Sequence, residues 1–125
     1  FRLLAVHTAQ PVDETSSWRR DLATLRVRTA EAVKAGPTLV VGDFNATRDH
    51  SAFRKILATG VSDAADVANS GWQPTWPTRS RAWYLRPLIA IDHVLSSGQY
   101  AAVRTDSISV SGTDHRALVV QLDRL

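Results

Sequence analysis

Short apolar runs alternate with polar stretches along the whole chain. Four of these runs predict strands, and the segment 100–110, which is more polar, predicts a strand at an edge or on an exposed face. The four strands are expected at residues 1–6, 38–41, 88–96 and 117–125, and the first two are expected to be buried.

Two other segments have the three- and four-residue spacing of an amphipathic helix. The longer one has Ser16 or Ser17 as its N-cap and stops at Gly36 and Pro37. Its buried stripe comprises Trp18, Leu22, Leu25, Thr29 and Val33. The shorter helix covers about residues 49–59 and turns Phe53, Ile56 and Leu57 inward.

The element order β-α-β-α-β-β-β predicts an α/β domain with a mixed sheet and helices on one face, so the other face of the sheet would need a separate cover. Residues 61–71 are ambiguous, and 73–87 predict a loop broken by prolines. Because the chain has no repeat, linker or low-complexity tract, residues 1–125 are expected to form a single domain. Its first residues already have the pattern of a strand under way, which favours a segment of a longer protein.

Composition narrows the chemistry. The chain has 125 residues and no cysteine, which excludes disulfides and thiolate metal sites. Its net charge of +3 comes mainly from scattered arginines, which favours anionic ligands without singling out nucleic acid. No apolar run reaches the ~18 residues of a membrane span.

Acid, amide and imidazole side chains follow the apolar runs. His7 closes the first strand, Asp43 and Asn45 follow the second, and Asp92 lies within the third. Asp114 and His115 precede the last strand. Because strand ends meet at one edge of a sheet, these residues are expected to converge. Such a donor set suits Mg²⁺ or Mn²⁺ and phosphoester hydrolysis.

Each of these motifs also has an ordinary structural interpretation. Gly, Asp and Asn are common turn formers, and an Asp-His pair can cap a turn. Asp92 is costly in an apolar strand unless it is paired, and His115 is its expected partner. By strand alternation His93 points to the opposite face and is expected at the surface, as is His50 in the first turn of the second helix.

Arginines and aromatic residues lie close to these motifs. The arginines, any of which could bind phosphate in a bidentate manner, are Arg48, Arg79, Arg81, Arg86 and Arg116. The aromatic residues before Asp92 are Trp72, Trp76, Trp83 and Tyr84, and they fit stacking on a ligand and packing in the core equally well. No P-loop, dinucleotide fingerprint or nucleophile elbow is present.

The motifs GDFNAT (42–47), IDHVLSS (91–97) and GTDHRALVV (112–120), in this order and after a strand that ends in His-Thr, resemble the endonuclease/exonuclease/phosphatase superfamily. That resemblance implies a DNase I-like four-layer α/β/β/α sandwich and metal-dependent attack of water on phosphorus. The Thr-Trp-Pro at 75–77 and the phrase GDFNATRDH also resemble a bacterial subgroup that includes the VanJ-like proteins, whose extracytoplasmic catalytic domain follows N-terminal membrane helices.

The resemblance also implies roles for individual residues. Asp43 would orient or deprotonate the attacking water, and Asn45 would hold the phosphate or the metal shell. Asp114 would bind the metal together with Asp43 and Asn45. His115 would bind the phosphoryl oxygens with its ring held by Asp92, and His7 would assist the leaving group. Arg116 and Trp76 are the candidate substrate contacts.

The family pattern also contains an Asn and a metal-binding Glu on two strands upstream of the first of these motifs. Neither Glu14, expected in a loop, nor Glu31, expected in mid-helix, can stand in for that Glu. The chain therefore resembles the C-terminal half of the fold with part of the site, which would act poorly unless paired with its missing half or with a second copy. Candidate substrates are a lipid pyrophosphate, a small phosphoester or a nucleic acid. The alternatives are a non-catalytic half-domain or interaction module, and a DNase-like nuclease or nucleic-acid binder.

Overall fold

The structure is a computed structural model, and it describes residues 1–78 and 87–125. Five residues named above as possible ligand contacts lie outside the described residues: Arg79, Arg81, Trp83, Tyr84 and Arg86. The elements, in chain order, are β1 (Arg2–His7), α1 (Thr15–Ala35), β2 (Thr38–Asp43), α2 (Ser51–Leu57), β3 (Val61–Asp63), α3 (Ala64–Val67), β4 (Asp92–Ser97), β5 (Tyr100–Ser109) and β6 (Arg116–Arg124).

The strands form a four-stranded mixed sheet and a separate hairpin. The sheet has the order β1-β2-β4-β3, in which β1 and β2 are parallel and the other pairs are antiparallel. β5 and β6 pair only with each other among the described strands, so the expected single sheet divides in two. The ambiguous segment forms β3 and α3, and the third predicted strand starts later than expected, at Asp92.

The long helix has the expected buried stripe but a different start. Trp18, Leu22 and Thr29 are buried on α1. Its N-cap is Glu14, whose side chain makes no capping bond, and not Ser16 or Ser17. Among the described residues no helix is both long enough and apolar enough to cross a membrane.

Helices α1 and α2 cover one face of the sheet. Leu4, Val40 and Leu95 share a row of the sheet register and face this helical layer, where they pack with Phe53. The other face is more open, and Leu3 on β1 is 56% exposed. Helices on a single face were expected from the element order, and the structure confirms this.

Two histidines expected at the surface are not there. His93 does point away from Asp92, but that side of the sheet is the one the helices cover, and His93 is only 4% exposed. The prediction that His93 points away from Asp92 was correct, but the prediction that it lies at the surface was wrong. His50 is partly buried, because its Nδ1 accepts the N–H of Thr47 and its ring meets the edge of Trp18.

Gly42 is required by the close approach of β1 to β2. It lies between Val6 and His93 in the register and has a φ of 136°, a conformation that other residues rarely adopt. A Cβ at this position would overlap the carbonyl oxygen of Val6. Both the backbone conformation and the available space therefore restrict this position to glycine.

We expect Gly42→Ala to lower the free energy of unfolding by more than about 2 kcal/mol, because it adds both overlap and backbone strain. Gly98→Ala is the matched control, since a Cβ there would meet no atom within 4 Å. Its effect should stay within about 0.5 kcal/mol. Urea denaturation measures both, and equal stabilities would contradict the register described here.

Candidate active site

Three of the predicted site residues form one row across the sheet. In the register His7 lies opposite Asp43, and Asp43 lies opposite Asp92. The row is at the C-terminal ends of β1 and β2 and the start of β4, on the more open face. The Nε2 atom of His7 is 3.9 Å from Oδ2 of Asp43, and the His7 side chain is largely exposed.

His115 joins this row from the start of the hairpin strand β6. Its Nδ1 lies 2.8 Å from Oδ2 of Asp92, and its Nε2 lies 3.9 Å from Oδ2 of Asp43. A carboxylate accepts hydrogen bonds, so the proton of the imidazole is on Nδ1 and the Nε2 atom faces Asp43. The expected pairing of Asp92 with His115 is therefore present.

The Asp-Phe-Asn segment is a turn that also presents site atoms. Oδ1 of Asp43 accepts the backbone N–H of Asn45 at 2.7 Å, which closes an Asx turn. Asn45 has a φ of 45°, a left-handed conformation that Asn tolerates better than most residues. Phe44, between the two polar residues, is fully buried. Oδ2 of Asp43 is the atom directed at the histidines, so the structural and functional interpretations apply to different atoms of one side chain.

Threonines that sequence reasoning did not identify hold the site in place. The buried hydroxyl of Thr75 accepts the backbone N–H groups of Ile91 and Asp92, at 3.2 and 3.3 Å. Thr8 donates its hydroxyl to the carbonyl of Phe44 at 2.7 Å, and its own carbonyl accepts Nδ2 of Asn45 at 2.9 Å. The sequence contains only weak indications of these two residues. Thr8 directly follows His7, and Thr75 begins the Thr-Trp-Pro sequence.

Asp114 and Trp76 also contact each other at the site. Trp76 donates its indole N–H to Oδ2 of Asp114 at 3.0 Å. Arg116, by contrast, turns its guanidinium toward β5, where it donates to the hydroxyls of Ser107 and Ser109.

A single cavity of about 870 Å³ brings most of the predicted residues together. Arg116 does not line it. The predicted residues that do are His7, Asp43, Asn45, Trp76, Asp92, Asp114 and His115.

The chemistry of the cavity fits a hard divalent cation. Asp43, Asp92 and His115 each offer a donor atom, and these atoms lie within 4.8 Å of one another. Burial raises the pKa of Asp43, and the negative charge of Asp92 raises it further. The hydrogen bond from the Asn45 N–H and the two nearby histidines lower the pKa, but the net shift is upward. A bound cation would offset the cost of both negative charges. This cluster shares only Asp43 with the expected ligand set of Asp43, Asn45 and Asp114.

Behind the row, a second carboxylate–imidazole pair supports the turn from the core. Nδ1 of His93 lies 2.7 Å from Oδ2 of Asp63, and its Nε2 lies 2.9 Å from the carbonyl oxygen of Ala46. The other carboxylate oxygen of Asp63 accepts the N–H of Ala65 and so caps α3. His93 thus connects the segment after Asn45 to β3 and α3.

The amino-acid sequence matches the model of the endonuclease/exonuclease/phosphatase family over residues 2–115. The chain belongs to this family. A search of curated proteins finds no match.

Solved structures with the same fold are about twice as long as this chain, or somewhat less. A functionally unknown conserved protein from Enterococcus faecalis V583 matches with a TM-score of 0.75 and 18% identity, over 98% of this chain and 50% of its own. A mannosyl-6-phosphatase from Bacteroides thetaiotaomicron matches with a TM-score of 0.73 and 17% identity, over 97% of this chain and 50% of its own. A 3′ phosphatase from Neisseria, bound to a product DNA hairpin, matches with a TM-score of 0.77 and 19% identity, over 97% of this chain and 60% of its own. These likenesses confirm the DNase I-like fold class.

The raised pKa of Asp43 predicts a dependence of stability on pH. The folded protein holds the proton of Asp43 more tightly than the unfolded chain, so its stability falls as pH rises from the ordinary aspartate pKa through the raised one. Asn at this position still accepts the N–H of Asn45 but cannot ionise. In EDTA, the stability of Asp43→Asn relative to wild type should therefore increase between about pH 4 and pH 7.

Urea denaturation at several pH values measures this difference. Asp123→Asn, at an exposed position of β6, is the control, and its stability difference from wild type should vary less over the same range than that of Asp43→Asn. A flat difference for Asp43→Asn would show that the desolvation of Asp43 is unimportant.

The buried pair behind the site predicts a large loss of stability. Asp63→Ala leaves Nδ1 of His93 without its partner in the core and removes the cap of α3, so we expect it to cost about 3–5 kcal/mol. Asp66→Ala removes a half-exposed carboxylate that pairs with Arg48, and should cost less than about 1 kcal/mol. Thermal and urea denaturation compare the two. Similar costs would contradict a supporting role for the buried pair.

Proposed function

We propose that this chain carries a large part of the active site of a divalent-metal-dependent phosphoester hydrolase. The observation that supports this most is the row of His7, Asp43 and Asp92 with His115 beside it, in one cavity. Family membership supports phosphoester hydrolysis in general, because members of the family are phosphoesterases or nucleases.

Asp43 is the residue we place at the cation, because it belongs both to the observed cluster and to the set implied by the family resemblance. Asn45 and Asp114, which line the same cavity, are proposed to contribute further oxygen atoms. When bound there, a Mg²⁺ or Mn²⁺ ion supplies positive charge that neutralises the oxygens of the phosphoryl group.

The chain's own residues bind the substrate and transfer protons. Oδ1 of Asp43 already accepts the N–H of Asn45, so Oδ2 has more of its lone pairs free. We place one lone pair of Oδ2 toward the cation and the other toward a water molecule, which it orients and whose proton it accepts. In its doubly protonated form His115 donates from Nε2 to a phosphoryl oxygen, while Asp92 accepts from Nδ1 and fixes the orientation of the ring. His7 is exposed at the opening of the cavity, where its proton can be given to the leaving group.

The substrate is proposed to be a phosphate ester held partly by Trp76. A phosphatase is favoured over a nuclease, because two of the similar structures are a mannosyl-6-phosphatase and a 3′ phosphatase. The latter is bound to DNA, which keeps a nucleic-acid substrate and a DNase-like nuclease as the second candidate. A lipid pyrophosphate and a membrane-anchored parent protein remain proposals that rest on the VanJ-like resemblance alone.

The site is proposed to be incomplete in this chain. The family resemblance implies a metal-binding Glu upstream of these motifs, and neither Glu14 nor Glu31 lines the cavity. The chain also spans only 50–60% of the similar structures. Further ligands would come from another segment or a second copy, and without them the chain would be a non-catalytic half-domain.

Hydrolysis of p-nitrophenyl phosphate and bis(p-nitrophenyl) phosphate, with Mg²⁺, Mn²⁺ or EDTA, tests the proposal. Metal-dependent turnover should fall by at least about 100-fold in His115→Ala and in Asp43→Asn. Asp123→Asn serves as the control and should keep the wild-type rate. Circular dichroism checks that all four proteins are folded. Turnover that is unaffected by EDTA or by both variants would contradict the proposal.

A calorimetric titration with Mn²⁺ separates the remaining outcomes. A folded chain without turnover that binds Mn²⁺ through Asp43 would support the incomplete site. A folded chain with neither turnover nor Mn²⁺ binding would support the non-catalytic module instead.

A further inference from the structure

A second cavity, of about 500 Å³, lies between α1 and α2. Its apolar part is formed by Trp18, Leu22, Ala23 and Ala52, and its polar part by cationic and hydroxyl side chains. We call this cavity the α1–α2 groove. No carboxylate lines it among the described residues.

Helix geometry brings the cationic side chains to this groove. Arg19 and Arg26 are two turns apart on α1, with Leu22 between them, so all three lie on one face. Lys55 approaches from α2, one turn after Ser51. The small side chains Ala23 and Ala52 leave space between the helices.

These cations have no partner in the part of the chain that the structure describes. Arg19, Arg26 and Lys55 make no hydrogen bond or ion pair with any described residue. Other arginines do pair with carboxylates, as Arg28 does with Glu31 and Arg104 with Asp106. Three like charges around one cavity repel each other, and a bound anion would remove that repulsion.

Trp18 adds an unsatisfied donor beside the same groove. It is only 7% exposed, and its indole Nε1–H has no hydrogen-bond acceptor among the described residues. An indole N–H can only donate, so the group that is lacking is an acceptor such as an anionic oxygen. The Nε1 atom is itself buried, so the exposed cations are the groups that an anion in the groove would contact, and the unsatisfied N–H lies in a side chain that lines the same groove.

The groove adjoins the catalytic cavity. His50 lines both of them, and its ring packs edge-to-face with the ring of Trp18 at a centroid distance of 5.1 Å. The row of Asp43 lies on the open face of the sheet, and the groove lies between the helices that cover the other face, so a ligand that used both would pass His50, the residue that the two cavities share.

We propose that the α1–α2 groove is a second anion site, which takes a phosphate group next to the one that is hydrolysed. The substrate part of this inference rests on the proposed function, whereas the binding of phosphate by the groove does not. The substrates selected would be those with at least two phosphate groups in one molecule.

Inorganic phosphate is the first probe, and its binding is followed by NMR through the indole N–H signal of Trp18. That signal is identified by its absence from the spectrum of Trp18→Phe. We expect a saturable shift that chloride at equal ionic strength does not produce. The double variant Arg26→Gln/Lys55→Gln should weaken the affinity at least about tenfold. The matched control Lys34→Gln/Arg124→Gln loses the same charge outside the groove and should stay within about twofold. Equal losses in both double variants, or no saturation, would overturn the groove as a site.

A trithymidylate with a 5′-phosphate distinguishes a free anion from a phosphate carried by the substrate. If the groove serves the substrate, the oligonucleotide should shift the signals of Trp18 and His115 together, and Arg26→Gln/Lys55→Gln should weaken its binding at least about tenfold. Unchanged oligonucleotide affinity in that variant would restrict the groove to free phosphate and overturn the substrate part. Phosphate binding to the groove of Asp43→Asn should equal wild type, so failure of the catalytic proposal would be seen separately.

Discussion

The register of the central strand is the constraint on which the rest of this structure depends. β2 places Asp43 directly between His7 and Asp92, so two carboxylates and an imidazole share one row. Bringing two carboxylates together in a partly buried place is unfavourable, as the raised pKa of Asp43 shows. The hydrogen bond of His115 to Asp92 offsets part of this cost, and a cation would offset more of it. The folded protein thus loses stability at the two carboxylates whose negative charge the proposed chemistry requires.

The same strand couples the site to the core. Gly42 and Asp43 are neighbours, and they face opposite sides of the sheet. On the site side Asp43 meets the histidines, while on the core side His93 packs against Phe53 and holds the carbonyl of Ala46. Movement of the turn at Asn45 would therefore disturb the packing of the helices. This coupling explains how a turn made of ordinary turn formers can hold the atoms of the proposed site in fixed positions.

The convergence of the site could be predicted from the sequence, because apolar runs mark strands and strand ends share an edge of the sheet. The burial of His93 could not be predicted in the same way: alternation gives the face of a side chain but not which face the helices cover. Asp63 was missed because it lies between a three-residue strand and a four-residue helix, which are too short for any periodicity. Thr75 acts through a backbone contact across a loop, and no local pattern encodes such a contact.

The open face of the sheet and the proposed incompleteness of the site have a common geometric origin. Leu3 and His7 lie on the same face of β1, so the face that leaves Leu3 56% exposed is also the face that carries the row of Asp43. Under the proposal of an incomplete site, a second copy or another segment that covered Leu3 would lie on the same face as His7. Burial of that apolar surface would favour association, and the same association would bring new side chains to the carboxylates. The covering of this face and the completion of the site are therefore expected to occur in one step under this proposal.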